Sequence, residues 1–348
     1  MNRRLSMFTL IISAVLMLAL SLPALAAGKG TVEDPYVWRM AGMYARGISY
    51  GRLYETFAQD VKRLSGGRMV IEVMYDNEGI NTAEVLNAVR TGLIEVANPL
   101  QSMHAGEFPA GVVDLGLPDG PKNEAELRAL YEEGGWLETM REAYGSIGCY
   151  YLGELLYPAT WLLTKEPINT LEDIKRMKIR CPGAYGEKIA KLGGSPVTMS
   201  LSEVYSSLAS GLLDGVDGCT MVEHYESKTY EMAKYAYPLP VANSQSCGIV
   251  VNLEAYNKLS DDLKAILIAA TQMSAIDTSI KAVVWGKEAE NKMFANGLKW
   301  GPQPSEEDVK KWEAAGRAVW DDYAKKDAFS KKLLEQQSVF MKTLGYDF

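Results

Sequence analysis

Few residues in this chain have types and spacings that could carry out a reaction. Its two histidines, His104 and His224, stand in no HExxH or other metal-ligand spacing. Four cysteines, Cys149, Cys181, Cys219 and Cys247, are widely spaced and include no CxxC pair. Buried free thiols and disulfides both remain open for them. No GxSxG elbow, P-loop or GxGxxG turn occurs, and Gly66-Gly67 and Gly193-Gly194 follow helical stretches, where glycine ends helices. Asp214 and Asp217 are a nearby carboxylate pair of a kind common in surface turns. The residues therefore predict no enzyme, no cofactor and no metal centre. What is left is binding. A formal charge of −8 over 348 residues, with acids and bases dispersed, argues against nucleic acid. It leaves anionic small molecules open, because a single buried arginine sets the local field of a cleft.

Such a cleft needs elements to build it. Leu53, Phe57, Val61 and Leu64 recur at helical spacing and stop at Ser65-Gly66-Gly67. Met69 to Met74 reads as a buried strand. Asn81-Thr82-Ala83-Glu84 opens a helix carrying Val85, Leu86, Val89 and Leu93. Ile94 to Ala97 is a second strand, and a helix from about Glu124 to Tyr144 leads to a strand at Gly148–Leu152. These are two βα units with parallel pairing. The middle repeats the plan. Thr170-Leu171-Glu172-Asp173 caps a short helix before the strand Met177–Arg180, and Ala184–Leu192 is a helix before the strand Pro196–Met199. Ser200-Leu201-Ser202-Glu203 caps a helix before the strand Leu213–Val216. A strand at Ile249–Asn252 precedes one long helical pattern, capped at Ser260, whose apolar positions run from Leu259 through Met273, Ile276 and Ile280 to Val283. Unbroken to Gly297 it is about 54 Å long, enough to cross two lobes, whereas a break near Gly286 would give two helices. An amphipathic helix around Trp312, Val319 and Tyr323 follows.

The N-terminus sets the compartment. Arg3 and Arg4 precede an apolar run over Met7–Leu22, and Pro23-Ala24-Leu25-Ala26-Ala27 offers a cleavage site after Ala26. Residues 1–26 therefore read as a secretory signal peptide. Their removal takes the formal charge from −8 to −10. No later stretch is apolar enough to cross a bilayer, so no membrane insertion of the mature chain is expected.

Two central stretches, KIRCPGAYGEKIAKLGGSPVTM (178–199) and LSEVYSSLASGLLDGVDG (201–218), resemble the solute-binding proteins of tripartite ATP-independent periplasmic (TRAP) transporters. FAQDVKRLSGGRMVIEV, EVLNAVRTGLIEVA and EPINTLEDIKRMKIR extend the likeness in order along the chain. The resemblance implies an α/β, two-lobed periplasmic-binding-protein-like fold with discontinuous segments, hinge strands and a long domain-spanning helix. Lobe I would hold 31–155 plus about 244–285, and lobe II 156–243 plus about 286–348. It implies a periplasmic receptor that captures a small organic carboxylate and delivers it to TRAP integral membrane subunits. A receptor for an ATP-driven importer, or a sensing subunit of a membrane kinase, would share the hinged plan.

By the same resemblance Arg180 grips the ligand carboxylate, although an arginine there would otherwise read as an ordinary ion pair. Two positions depart from the family pattern. Trp161 stands where many members carry a second arginine, and Asp217-Gly218 replaces the usual Glu-Asn. A single cation favours a mono- or keto-acid over a dicarboxylate, with Trp161 either a wall of the site or core packing. Tyr44, Arg46, Asn77, Glu78, Tyr185, Asp217 and Met221 lie at strand ends and are further ligand candidates.

Overall fold

The computed structural model describes residues 28–76 and 78–346. The expected signal peptide and the candidate Asn77 lie outside the described residues. Strands β1 (Tyr36–Gly42), β2 (Met69–Met74), β3 (Val96–Asn98), β4 (Cys149–Thr160) and β10 (Ala242–Asn252) form one sheet in the order β2-β1-β3-β10-β4. Strands β5 (Leu163–Thr164), β6 (Lys178–Arg180), β7 (Ser195–Val197), β8 (Gly215–Val216), β9 (Tyr235–Ala236) and β11 (Lys299–Trp300) form the second, ordered β11-β9-β5-β8-β6-β7. The parallel pairs β1–β2, β1–β3, β6–β7 and β6–β8 come from the βα units. Helices cover both sheets, giving the two-lobed α/β fold of periplasmic binding proteins.

Local signals explain most boundaries. The helix Arg52–Leu64 buries Leu53, Phe57 and Val61 and ends where Gly66 and Gly67 adopt φ of +62° and +86°. Thr170 and Ser200 donate their backbone N–H groups to Asp173 and Glu203, so both capping boxes form. The helix expected over 124–144 is two helices, Glu124–Glu132 and Trp136–Ser146. Gly135, at φ +81°, turns the chain between them.

Two strands are much longer than their apolar cores. β4 and β10 pair antiparallel from Cys149 with Asn252 to Thr160 with Ala242, and so run out of the first sheet toward the second lobe. Ser244, Gln245 and Ser246 look like loop residues in sequence. In the fold they are held in the ladder by Pro158, Tyr157 and Leu156.

The long helix is continuous from Asp261 to Ala295. At about 1.5 Å per residue it is about 52 Å long. Leu263, Leu267, Ala270 and Ala282 pack into the first lobe, and Met293 into the second. Its middle does not bury the expected stripe, since Met273, Ile276, Ile280 and Val283 are exposed. Ala270, Thr271, Ser274, Ala275 and Thr278 are buried instead, and the helix packs along β4. Small side chains let the two backbones approach: a Cβ on Gly153 would sit 3.2 Å from Thr271 Cγ2. The final helix, Ala328–Thr343, packs on the Pro109–Leu115 and Trp136–Ser146 helices of the first lobe, where the Trp136 indole donates to the Leu333 carbonyl at 2.8 Å. Sequence had carried that segment into the second lobe; Leu333 and Leu334 find their apolar partners in the first.

Candidate functional site

Three parallel strands of the second sheet end side by side, and Arg180 is the last residue of the central one. Its backbone carbonyl accepts the Asp217 N–H at 2.7 Å, which draws the turn after β8 across the strand end. Arg180 Nε donates to the Met199 carbonyl at 3.2 Å and Nη1 to the Asp217 carbonyl at 3.0 Å. Both partners are neutral dipoles. The guanidinium is therefore aimed without being neutralised, and no carboxylate oxygen lies within 4.0 Å of it among the described residues. Its residue is 4% exposed. Gly218 makes the approach possible: it has φ of +80°, and a Cβ there would meet Pro182 at 2.5 Å and Arg180 Nη1 at 3.5 Å.

Arg180 faces a cavity of about 300 Å³ between the lobes. The first lobe contributes Met43, Tyr44, Leu100, Met103 and Leu115, the linking strand β10 gives Gln245 and Cys247, and the second lobe supplies Cys219 and Glu223. Arg180 is the only cation among the residues that line it. Tyr44 follows β1 and packs 5.7 Å from Tyr50 and 6.2 Å from Tyr157, centroid to centroid. Burial holds its hydroxyl well above the usual tyrosine range.

Glu223 was not singled out from the sequence. It sits three residues into the turn opened by Thr220, and its Oε2 accepts both the Thr220 N–H at 2.8 Å and the Thr220 hydroxyl at 2.9 Å. The Thr-x-x-Glu spacing directly after Asp217-Gly218 was the available signal. Burial raises its carboxyl pKa, against the hydrogen bonds from Thr220 and the attraction of Arg180. The next residue, His224, is fully buried. Its Nε2 lies 2.8 Å from the Trp161 carbonyl, which can only accept, so that nitrogen carries the proton and Nδ1 faces the Thr229 hydroxyl at 2.9 Å. Desolvation pushes the imidazole pKa down to about 4.

The other candidates separate clearly. Asp217 is completely buried behind Arg180, accepts from the Cys181 thiol at 3.1 Å and is pushed up to about 6 by desolvation. Tyr185 is buried one layer behind the cavity, its hydroxyl donating to Gln245 at 3.3 Å. Trp161, half-buried, packs edge-to-face on the exposed Trp300 at 5.2 Å and is not among the residues that line the cavity. Met221 is buried among Val204, Leu208 and Leu298. Arg46 and Glu78 form a bidentate pair at 2.7 and 2.9 Å beside Tyr75, with the Arg46 side chain 60% exposed, outside the cavity lining. All four cysteines are free and buried.

The lobes touch across the cleft. Glu226 accepts the Ser49 backbone N–H at 3.1 Å and the Ser49 hydroxyl. Lys188 reaches Asp119 at 2.8 Å. Among the described residues no group of three His, Cys, Asp or Glu side chains is placed to hold a metal ion, and no helix is long and apolar enough to cross a membrane.

Residues 43–327 match the family described as bacterial extracellular solute-binding protein, family 7. A monocarboxylate 2-oxoacid-binding periplasmic protein of Nostoc sp. is 25% identical, covering 88% of this chain and 84% of its own. A TRAP periplasmic solute-binding protein of Colwellia psychrerythraea, solved with calcium and pyruvate, superposes with a TM-score of 0.84 at 21% identity, covering 89% of this chain and 95% of the other. An extracytoplasmic solute receptor of Bordetella pertussis binding pyroglutamic acid gives 0.78 at 20% identity, covering 87% and 99%.

Proposed function

The chain belongs to family 7 of the bacterial extracellular solute-binding proteins, and from that premise we propose that it captures a small monocarboxylate between its lobes. A 2-oxo acid is one such ligand, and the captured form is handed to TRAP integral membrane subunits. The observation that carries this reading is Arg180. A guanidinium that is 96% buried, oriented by two carbonyls and free of carboxylate contact is short of one partner, and it lines the interlobe cavity. A ligand carboxylate completes it with charge-assisted hydrogen bonds. Because no second cation lines the cavity among the described residues, one carboxylate is favoured over two.

The export signal at residues 1–26, removed after Ala26, would deliver the receptor to the periplasm. Closure would be hinged on β4 and β10, with 31–155 and about 244–285 as one body and 156–243 as the core of the other. The ligand would touch Tyr44 on one lobe and Arg180 on the other only when the cleft is shut.

Calorimetric titration with a panel of small carboxylates tests this. A ligand at 100 times its dissociation constant should add about 2.7 kcal/mol to unfolding stability. Arg180→Gln should weaken every binding acid by at least about 100-fold, the value of a lost pair of charge-assisted bonds. Unchanged affinity in Arg180→Gln would remove the carboxylate grip from this residue.

A further inference from the structure

Beside Arg180 the cavity lining holds two carboxylates that the reading above does not use: Asp76, whose Oδ1 accepts the Thr82 N–H at 3.2 Å, and Glu223. Glu223 lines the same space as Arg180, is 7% exposed, and sits in the second lobe beside Cys219. The two charged groups feel one another, yet their charged atoms lie farther apart than the 4.0 Å of an ion pair. Thr220 occupies Oε2 with two hydrogen bonds, and among the described residues nothing donates to Oε1. With Oε2 occupied, Oε1 is left open to the cavity, able to accept from a donor on whatever enters it.

We propose that Glu223 is the specificity-determining residue of this receptor: its ligand carries, beside the carboxylate held by Arg180, an O–H or N–H donor that Glu223 accepts. This rests on the carboxylate reading and narrows it. The favoured class is the small hydroxy acids, amino acids and lactam acids, ahead of plain 2-oxo acids of equal size. A second carboxylate on the ligand would meet Glu223 as a like charge, so dicarboxylates are rejected by repulsion as well as by the lack of a cation.

Glu223→Gln separates this role from the capping of its own helix. Glutamine serves equally at the third position of a capping box. Its amide oxygen keeps the two Thr220 donors, and that turns the NH2 group toward the cavity. The variant should therefore fold normally but offer a donor where the wild type offers an acceptor.

The experiment is calorimetric titration of wild type, Glu223→Gln and Arg180→Gln with matched pairs. Suitable pairs are lactate and alanine against pyruvate, 2-hydroxy-4-methylpentanoate against its 2-oxo analogue, and pyroglutamate against cyclopentanecarboxylate. The donor-bearing member should bind wild type at least about tenfold more tightly. In Glu223→Gln the preference should vanish or invert toward the 2-oxo acid, with unliganded melting unchanged. Alanine against lactate tells ammonium from hydroxyl. Equal binding within every wild-type pair, no binding by any donor-bearing acid, or a preference that survives in Glu223→Gln overturns the inference. Loss of all binding in Arg180→Gln leaves the carboxylate reading standing whatever Glu223 does, and retention of it there defeats that reading alone.

Discussion

Replacing Lys188 by methionine takes away the ammonium that is in direct contact with a buried carboxylate. The side chain is fully buried, with Nζ 2.8 Å from Asp119 Oδ2 and 4.1 Å from the Trp312 ring centroid. It belongs to the helix Gly183–Lys191, which begins three residues after Arg180, whereas Asp119 lies in the loop after Leu117 of the first lobe. Desolvation is the largest influence on both groups: it raises the Asp119 pKa and lowers that of Lys188, each toward the neutral form. The mutual attraction thus fails to offset fully the loss of water, as is common for buried pairs.

The consequence is an asymmetric mutant cycle. Lys188→Met leaves Asp119 buried without its contacting ammonium, with only the more distant pull of Lys122, and should cost about 3 kcal/mol at pH 7.5. Lys188→Met with Asp119→Asn removes the stranded charge and should return to within about 1 kcal/mol of wild type, so the two substitutions couple by several kcal/mol. The pH dependence has a fixed sign. With the lysine gone, the folded pKa of Asp119 rises further above its unfolded value. Its contribution is then favourable at low pH and lost as pH rises through the folded pKa, so the deficit against wild type shrinks on acidification. Gly316→Ala strikes the same pair from another side, because its Cβ would sit 1.7 Å from Asp119 Oδ2. Urea unfolding followed by tryptophan fluorescence at pH 7.5 and 5 measures wild type, Lys188→Met, Asp119→Asn, their double mutant and Gly316→Ala. A single mutant within about 1 kcal/mol of wild type, or a double mutant as weak as the single, would refute the reasoning.

Three other outcomes are expected. Gly248→Ala places a Cβ 2.1 Å from the Tyr151 ring, whose hydroxyl is tied to Asp114 at 2.8 Å; thermal melting should show a loss of about 1–3 kcal/mol from overpacking. Asp217, with its pKa pushed up to about 6 from 3.8, favours the folded state most when protonated. Between pH 4 and pH 6.5 wild type should therefore lose about 2 kcal/mol relative to Asp217→Asn in chemical denaturation, and a flat difference would contradict the shift. A thiol reagent should reach Cys149 and Cys181, buried away from the cavity, only after unfolding, with reductant leaving the melting temperature unchanged because all four cysteines are free.

The sequence exposed the parallel βα units and the long helix because their apolar periodicity is local. It concealed the interlobe strands, since Ser244, Gln245 and Ser246 are polar and are held extended only by pairing with β4. The stripe through Met273, Ile276 and Ile280 looked like a buried face; the fold turns it outward because the neighbouring Ala, Ser and Thr positions pack on β4. At the site, the resemblance pointed to Arg180 and Tyr44, and both line the cavity. Arg46 and Glu78 share their strand-end position but neutralise one another at the surface. Trp161 is ambiguous for a physical reason: a large aromatic at a strand end serves equally well as wall or as packing, and its edge-to-face contact with the exposed Trp300 is not visible in local sequence. Glu223 was hidden by its second job, since a glutamate at the third position of a turn is explained by capping before any ligand is considered.

That short helix, Met221–Glu226, is where binding and closure become one event. Glu223 points to the cavity, His224 holds the Trp161 carbonyl at the end of β4, and Glu226 takes the backbone and hydroxyl of Ser49 from the opposite lobe. These residues share little more than one helical turn, so none can move far without the others. A ligand shifts the lobes only by interacting differently with the open and shut forms. Here a group pulled toward Glu223 and Arg180 draws on the same rigid turn that carries the Ser49 contact, whereas Tyr44 meets the ligand from the other side. An acid too small to reach Tyr44 from Arg180 should then bind one lobe without stabilising the Ser49–Glu226 contact, so affinity and closure rise together with ligand size until the cavity is filled.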